Sequence, residues 1–260
     1  MRYGSGGKLA WYASAVALVG ACATARAENP TDGTDTGSPH FEVWSGAQAY
    51  RQVWSLYSGV SAAPFGSIQQ DGARLRVVVG YGQDTYQSTA AGGTIVKFQG
   101  TTSFADALLG YHSQMGALTL KVFAGVASAD RRIRPEDPAA AIQGTGVGGK
   151  AVLEGWWNVS DQVFAAIDLS WGSLYQTYSG RARLGWRFAP PASVGLELGA
   201  FSNAESSIGR VAAFLRYELA DGEVAASGGF ANDRLLDGGL GSRAMHGGTP
   251  FAMVSWLTRF

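Results

Sequence analysis

The chain has 260 residues, and its 20 basic and 20 acidic side chains cancel to a formal net charge of zero, which leaves no electrostatic footprint for nucleic acid. An apolar fraction of 46% excludes a disordered chain, and 37 glycines against 8 prolines without a three-residue period exclude collagen. One large β domain or two small ones remain, glycine-rich because strands bend and backbones approach closely.

The amino terminus has an export architecture. Arg2 and Lys8 precede an apolar run from Leu9 to Val19, and Ala25-Arg26-Ala27 offers small residues where a signal peptidase reads. Residues 1–27 are therefore expected to be a cleaved signal peptide. Val19-Gly20-Ala21-Cys22 loosely resembles a lipobox, so lipidation at Cys22, the only cysteine, stays open as an alternative. No later segment reaches the roughly 20 apolar residues that a membrane helix needs. Residues 28–40, rich in Asn, Pro, Thr, Asp, Gly and Ser, read as a solvated leader.

From residue 41 to 260 the chain alternates between apolar and polar residues in run after run, with turn-forming clusters between them. Strands are expected near 41–49, 52–62, 73–86, 94–112, 117–129, 144–157, 162–173, 176–188, 192–203, 208–218, 222–231 and 249–260. About twelve strands, each near the length that crosses a bilayer at a tilt, predict an all-β fold: a single transmembrane antiparallel β-barrel. Short links at 114–116, 158–161, 189–191 and 219–221 alternate with longer ones at 83–93, 130–143 and 232–248, which puts both termini and the short turns on the periplasmic side. Pro64–Gly72 is too long for that side. Arg51 and Tyr175 fall in links too short for the other.

The stretch from Tyr178 to Phe188 shows the alternation most plainly. Tyr178, Gly180, Ala182, Leu184, Trp186 and Phe188 share one face, while Arg181, Arg183 and Arg187 lie on the other. Lipid outside and a polar lumen inside accounts for both sets. The same parity turns Leu75, Val77, Val79, Tyr81, Val122, Val126, Ile167, Leu169 and Trp171 outward. It turns Arg74, Arg76, Lys121, Lys150, Arg181, Arg183, Arg187, Arg210 and Arg216 inward, opposed by Asp106, Glu154, Asp168, Glu197, Glu218 and Glu223. Such charges must either meet water or pair. A basic-walled channel for anionic or hydroxyl-rich solutes and a barrel held shut by arginine–carboxylate pairs are both consistent with the pattern.

Trp44, Phe123, Trp156 and Phe164 also face inward, where they either fill the lumen or offer stacking faces to sugar rings. Trp186, Phe188, Tyr217, Trp256 and Phe260 read as interfacial girdles. The terminal Phe260, after alternating apolar residues, resembles the signal read by barrel-assembly machinery. His40, His112 and His246 have no metal-ligand spacing, and nothing calls for a cofactor. His112-Ser113 loosely suggests a lipid hydrolase, but parity turns His112 into the lumen and away from lipid. Gly144–Gly149 imitates a nucleotide loop yet opens a strand, so close backbone packing is the expected role.

Several words of the chain are shared with one family. They are Phe104-Ala105-Asp106-Ala107-Leu108-Leu109-Gly110-Tyr111, Leu118-Thr119-Leu120-Lys121, Arg134-Pro135 with Asp137-Pro138, Lys150-Ala151 with Leu153-Glu154, Arg183-Leu184-Gly185, Asn203-Ala204-Glu205 and Gly209-Arg210. In this order they resemble the outer-membrane cellulose-biosynthesis proteins called BcsS. The resemblance implies a non-enzymatic outer-membrane protein that assists cellulose production, by exporting glucan or by docking secretion components. A general small-solute channel and, more remotely, a lipid-modifying barrel enzyme are the alternatives. The implied partners are outer-membrane lipid, the barrel-assembly machinery, and cellulose or other secretion proteins. Arg134, Pro135, Asp137 and Pro138 fall in an expected outer loop that two prolines stiffen into a cap or contact surface.

Overall fold

Strands that are apolar on one face and charged on the other leave no unpaired edge if the sheet closes on itself, with the charges inside. The computed structural model, which describes residues 38–89, 94–138, 140–232 and 248–260, shows that closure. The strands are β1 (Phe41–Tyr50), β2 (Val53–Ala62), β3 (Gly72–Thr89), β4 (Ile95–Met115), β5 (Leu118–Arg134) and β6 (Gly144–Asn158). They continue with β7 (Val163–Gly172), β8 (Thr177–Ala189), β9 (Ala192–Ser202), β10 (Ser207–Leu219), β11 (Gly222–Asn232) and β12 (Thr249–Arg259). Each pairs antiparallel with its sequence neighbour, and β1 closes the ring of twelve against β12. Among the described residues the only helical element is a 3-10 turn at Leu174–Gln176, and no helix is long and apolar enough to cross a membrane.

The strands start and stop within a few residues of the expected positions, except on one side of the ring. There β3, β4 and β5 run to 18, 21 and 17 residues, so 87–89 and Asp130–Arg134, expected in loops, are strand, as is 83–86, where the expected strand and link overlapped. Beyond the apolar belt both faces of these strands are polar, and the alternation that marks a strand disappears. Arg134 therefore ends β5 instead of lying in a loop. The export segment, Cys22, most of the leader, His246 and most of the 232–248 link lie outside the described residues.

Outward side chains form the belt: Leu75, Val77, Val79, Val122, Val126, Leu184, Leu196, Leu198 and Val211 are all exposed. Aromatic residues rim it, with Trp54, Tyr81, Trp171 and Tyr178 towards the loops and Trp157, Trp186, Phe188, Tyr217 and Phe260 towards the chain termini. From Tyr178 to Phe188 a tilted strand climbs about 25 Å, the height of a barrel's apolar band.

The glycine content has a specific use inside the ring. Trp44 lies directly across from Gly59, Tyr57 from Gly46, Phe104 from Gly80, Phe123 from Gly110, Phe164 from Gly185 and Phe214 from Gly195. Each ring lies flat on its glycine, and a Cβ added there would fall inside the ring's van der Waals surface. Gly59→Val is expected to lower unfolding free energy by about 1–3 kcal/mol, the cost of overpacking. Urea unfolding in lipid vesicles, followed by tryptophan fluorescence, checks this; an unchanged midpoint would contradict it.

Candidate functional site

The lumen gathers the charged residues of the sequence into pairs, some between adjacent strands and some between strands that are not neighbours. Arg76 of β3 donates to both oxygens of Glu154 on β6, at 2.5 and 3.0 Å, and to Ser61 Oγ at 3.0 Å. Its guanidinium sits 3.6 Å from the centroid of Phe123 and 5.0 Å from that of Trp44. Lys121 of β5 reaches Glu42 on β1 at 3.3 Å, and Arg259 meets the same carboxylate at 3.2 Å. Lys150 pairs with Asp106. Arg181 donates to Asp168 at 2.9 Å and lies 3.9 Å from Glu197. Arg210 Nη2 is 3.0 Å from Glu197 Oε1, an ionic contact without hydrogen-bond alignment. Arg216 holds Glu218 and Glu223 at 2.5 and 2.6 Å.

Basic residues in excess of these carboxylates go to different partners. Arg187 donates to the carbonyl of Asp161 at 3.1 Å and to Asn158 Oδ1 at 2.6 Å, closing the β6–β7 turn. The guanidinium of Arg74 is ringed by the carbonyls of Ser67, Ile68 and Gln70, and it donates to His112 Nδ1 at 2.9 Å. Arg183 is buried with Nε and Nη2 unpartnered among the described residues, 5.8 Å from the centroid of Phe214.

Both ends of the lumen are covered. At the end carrying the termini, the Ala63–Asp71 connection folds across the mouth: Ile68 N donates to Pro39 O at 2.7 Å, Ile68 is buried, and Arg74 holds the segment from within. The connection that looked too long for its side is thus a cover. At the loop end, Leu174 and Tyr175 dip towards the lumen over Gly146 and Gly148 of β6, where a Cβ would come within 2.5–2.6 Å of Leu174 atoms. The glycine run at 144–149 makes room for this turn, and Tyr175 donates to Gly144 O at 3.1 Å. The link after β5 is fastened as well. Tyr86 donates to Asp137 at 2.8 Å, and Ile142 N donates to Glu205 in the β9–β10 link at 2.7 Å. Pro135 and Pro138 are exposed, whereas Asp137 faces in.

Among the described residues, one cavity of about 50 Å³ lies beside Trp44, Tyr57, Arg76, Asp106 and Arg181, and another of about 40 Å³ lies beneath Leu174 and Tyr175. Such volumes hold a few waters each. Water there would meet Tyr57 Oη, Ser55 Oγ and Asp168 Oδ1, which have no hydrogen-bond partner among the described residues.

The residues given lumen positions by parity, from Arg74 to Glu223, point inward, and the structure groups most of them into several ion-pair clusters. The aromatic set serves as filling. Trp156 stacks on Phe164 at 4.2 Å, Arg216 covers Trp156 at 5.1 Å, and Arg76 lies between Trp44 and Phe123. His112 is enclosed between Arg74 and the Gln70 carbonyl, away from the outer wall. Glu42, Asp84, Arg131 and Arg259 belong to such clusters but were not singled out. Parity from Trp44 and from Phe260 would have found Glu42 and Arg259. Arg131, paired with Asp84 in a bidentate bridge at 2.9 and 3.0 Å, was hidden in a stretch read as a loop, and Asp84 lay where the expected strand and link overlapped.

The sequence profile described as "Cellulose biosynthesis protein BcsS" matches residues 43–255, nearly the whole barrel. The chain belongs to the BcsS family. No characterised protein is similar enough to this BcsS-family chain to count as a relative. Among solved structures, the TodX deltaS2S3 mutant monoaromatic hydrocarbon channel is similar in fold, with TM-score 0.53 and 10% identity over 86% of this chain and 91% of that one. The KdgM porin gives 0.45 and 11% identity over 84% and 99%. The translocator domain of the autotransporter NalP from Neisseria meningitidis gives 0.47 and 13% over 87% and 90%. At these identities the likeness concerns the barrel fold alone.

Proposed function

We propose that this BcsS-family barrel sits in the outer membrane and serves cellulose production by docking components of the secretion apparatus, with its lumen closed to glucan. The observation that carries this reading is the strut from Arg76 to Glu154, which spans the ring between strands that are not neighbours and leaves only water-sized space beside it. Buried pairs of this kind specify one packed arrangement more than they stabilise it, which suits a rigid scaffold. The apolar belt with aromatic rims supports the membrane setting.

Two measurements test the reading. The purified chain in planar bilayers is expected to show baseline conductance, and deletion of its gene is expected to reduce cellulose at the cell surface. Sustained open steps that cello-oligosaccharides block would transfer the function to glucan export, and open steps without such blocking to a general small-solute channel. Unchanged surface cellulose after deletion would sink the link to cellulose altogether.

A further inference from the structure

The tall wall formed by β3, β4 and β5 rises past the apolar belt at the loop end, and its outward face changes chemistry there. On β5 the outward series runs Val122, Ala124, Val126, Ser128, then Asp130, Arg132 and Arg134. On β4, Gln99 lies opposite Arg134 and Thr101 opposite Arg132, with Lys97 one outward position beyond. Lys97, Gln99, Arg132 and Arg134 are all exposed. Asp130 occupies one edge of the patch: it accepts from Arg132 Nε at 2.8 Å and from Thr145 Oγ1 at 2.7 Å. Arg132 remains 72% exposed, which leaves the far side of its guanidinium to solvent. Glu136 is exposed in the link that follows.

The inner face of the same wall is rigid. The Asp84–Arg131 bridge and the Tyr86–Phe98 stack at 5.2 Å lock the three strands together beyond the belt. The outward cations are therefore held on a flat, ordered surface at the rim where headgroups lie.

A second observation concerns the other end of the barrel. Among the described residues, the exposed charged side chains in the connections at the terminus end are Asp71, Asp161 and Asp221, all acidic. Arg51, Lys97, Arg132 and Arg134 are exposed at the loop end. Four exposed cations against the exposed Glu136 leave the loop rim net positive among the described residues, while the other rim is negative, which matches a bilayer whose loop-side leaflet bears anionic headgroups.

We propose that the outward face of β4 and β5 around Lys97, Gln99, Arg132 and Arg134 binds a phosphorylated glycolipid headgroup of the loop-side leaflet. The cations take the phosphate oxygens, with arginine offering two parallel donors to each phosphate. Gln99 and Thr101 supply the amide and hydroxyl that sugar hydroxyls pair with. This rests on the outer-membrane setting proposed above but not on any role in cellulose docking.

The test uses the full chain folded in detergent, titrated with bisphosphorylated lipid A, with the same lipid stripped of phosphate, and with inorganic pyrophosphate, each read by native mass spectrometry. The phosphorylated lipid is expected to bind best, and K97Q/R132Q/R134Q is expected to weaken it by roughly 10- to 100-fold. D71N/D161N/D221N, at the opposite rim, should leave it unchanged. Heat-modifiable gel mobility reports that both variants still form the barrel. Equal binding of the dephosphorylated lipid, or full retention by the triple glutamine variant, overturns the proposal. Pyrophosphate binding as tightly as the lipid would overturn the lipid assignment and indicate a free-anion site. Because none of these readouts involves cellulose, their failure is distinguishable from failure of the docking reading.

Discussion

Glu154→Ala is expected to lower the unfolding free energy of the barrel by about 3–5 kcal/mol, because it removes the carboxylate that a buried guanidinium grips through both oxygens. Arg76 and Glu154 have side-chain exposures of 3% and 4%, so bulk solvent does not reach the charge, and the few waters the neighbouring cavity holds replace only part of the lost carboxylate. Arg76 keeps its contacts with Ser61 Oγ at 3.0 Å and with the ring of Phe123, but Glu154 is the carboxylate that it grips through both oxygens. Replacing both members, as Arg76→Met with Glu154→Leu, is expected to recover most of the loss. A thioether rests well against Phe123 and Trp44, and neither charge then needs a partner. Denaturant unfolding of the wild type, both single variants and the double variant forms a complete cycle. If the double variant is no more stable than Glu154→Ala alone, the buried charge is not the cause of the loss.

Arg74→Ala has the second large expected effect, about 2–4 kcal/mol, and it should be local. One guanidinium serves the carbonyls of Ser67, Ile68 and Gln70, and charged hydrogen bonds contribute more than neutral ones. Without it those carbonyls lose their charged donor, Ser67 O keeping the Gln70 N–H at 3.2 Å, and the cover over the terminus-end mouth is released. Limited proteolysis should then cut within residues 63–71 while the strands stay intact, since the strand hydrogen bonds do not pass through Arg74. Arg74→Lys should rescue in part, because a single ammonium cannot span the same carbonyls. Equal resistance of wild type and Arg74→Ala would show that the cover is held by something else, such as the bond from Ile68 N to Pro39 O.

Much of this was legible before any coordinates. With lipid on one side and a crowded polar interior on the other, every residue of a belt strand must belong to one environment, and period-two parity reports which. That is why Arg181, Arg183 and Arg187 could be separated from Leu184, Trp186 and Phe188. The same logic failed where the environment no longer has two sides. Past the belt, Gln83 and Thr85 outward and Asp84 and Tyr86 inward are all compatible with water, so the end of β3 read as strand and link at once and the end of β5 from Asp130 read as loop. The Pro64–Gly72 connection was legible as an anomaly of length only. Its role as a cover depends on Arg74, which lies on the next strand.

Strand number, the face of each residue, the aromatic rims and the family were determined by the order of residues along the chain, because each depends on local alternation or local wording. Pairing was decided by closure of the ring. Arg76 meets Glu154 and Glu42 meets Lys121 only because the curved sheet brings non-neighbouring strands face to face across a narrow bore. Strand register sets Trp44, Tyr57, Phe104, Phe123, Phe164 and Phe214 each on a glycine of the adjacent strand. Whether a barrel lined with charge is a pore or a plug depends on distances across its interior, and those are a property of the folded ring and not of any strand within it.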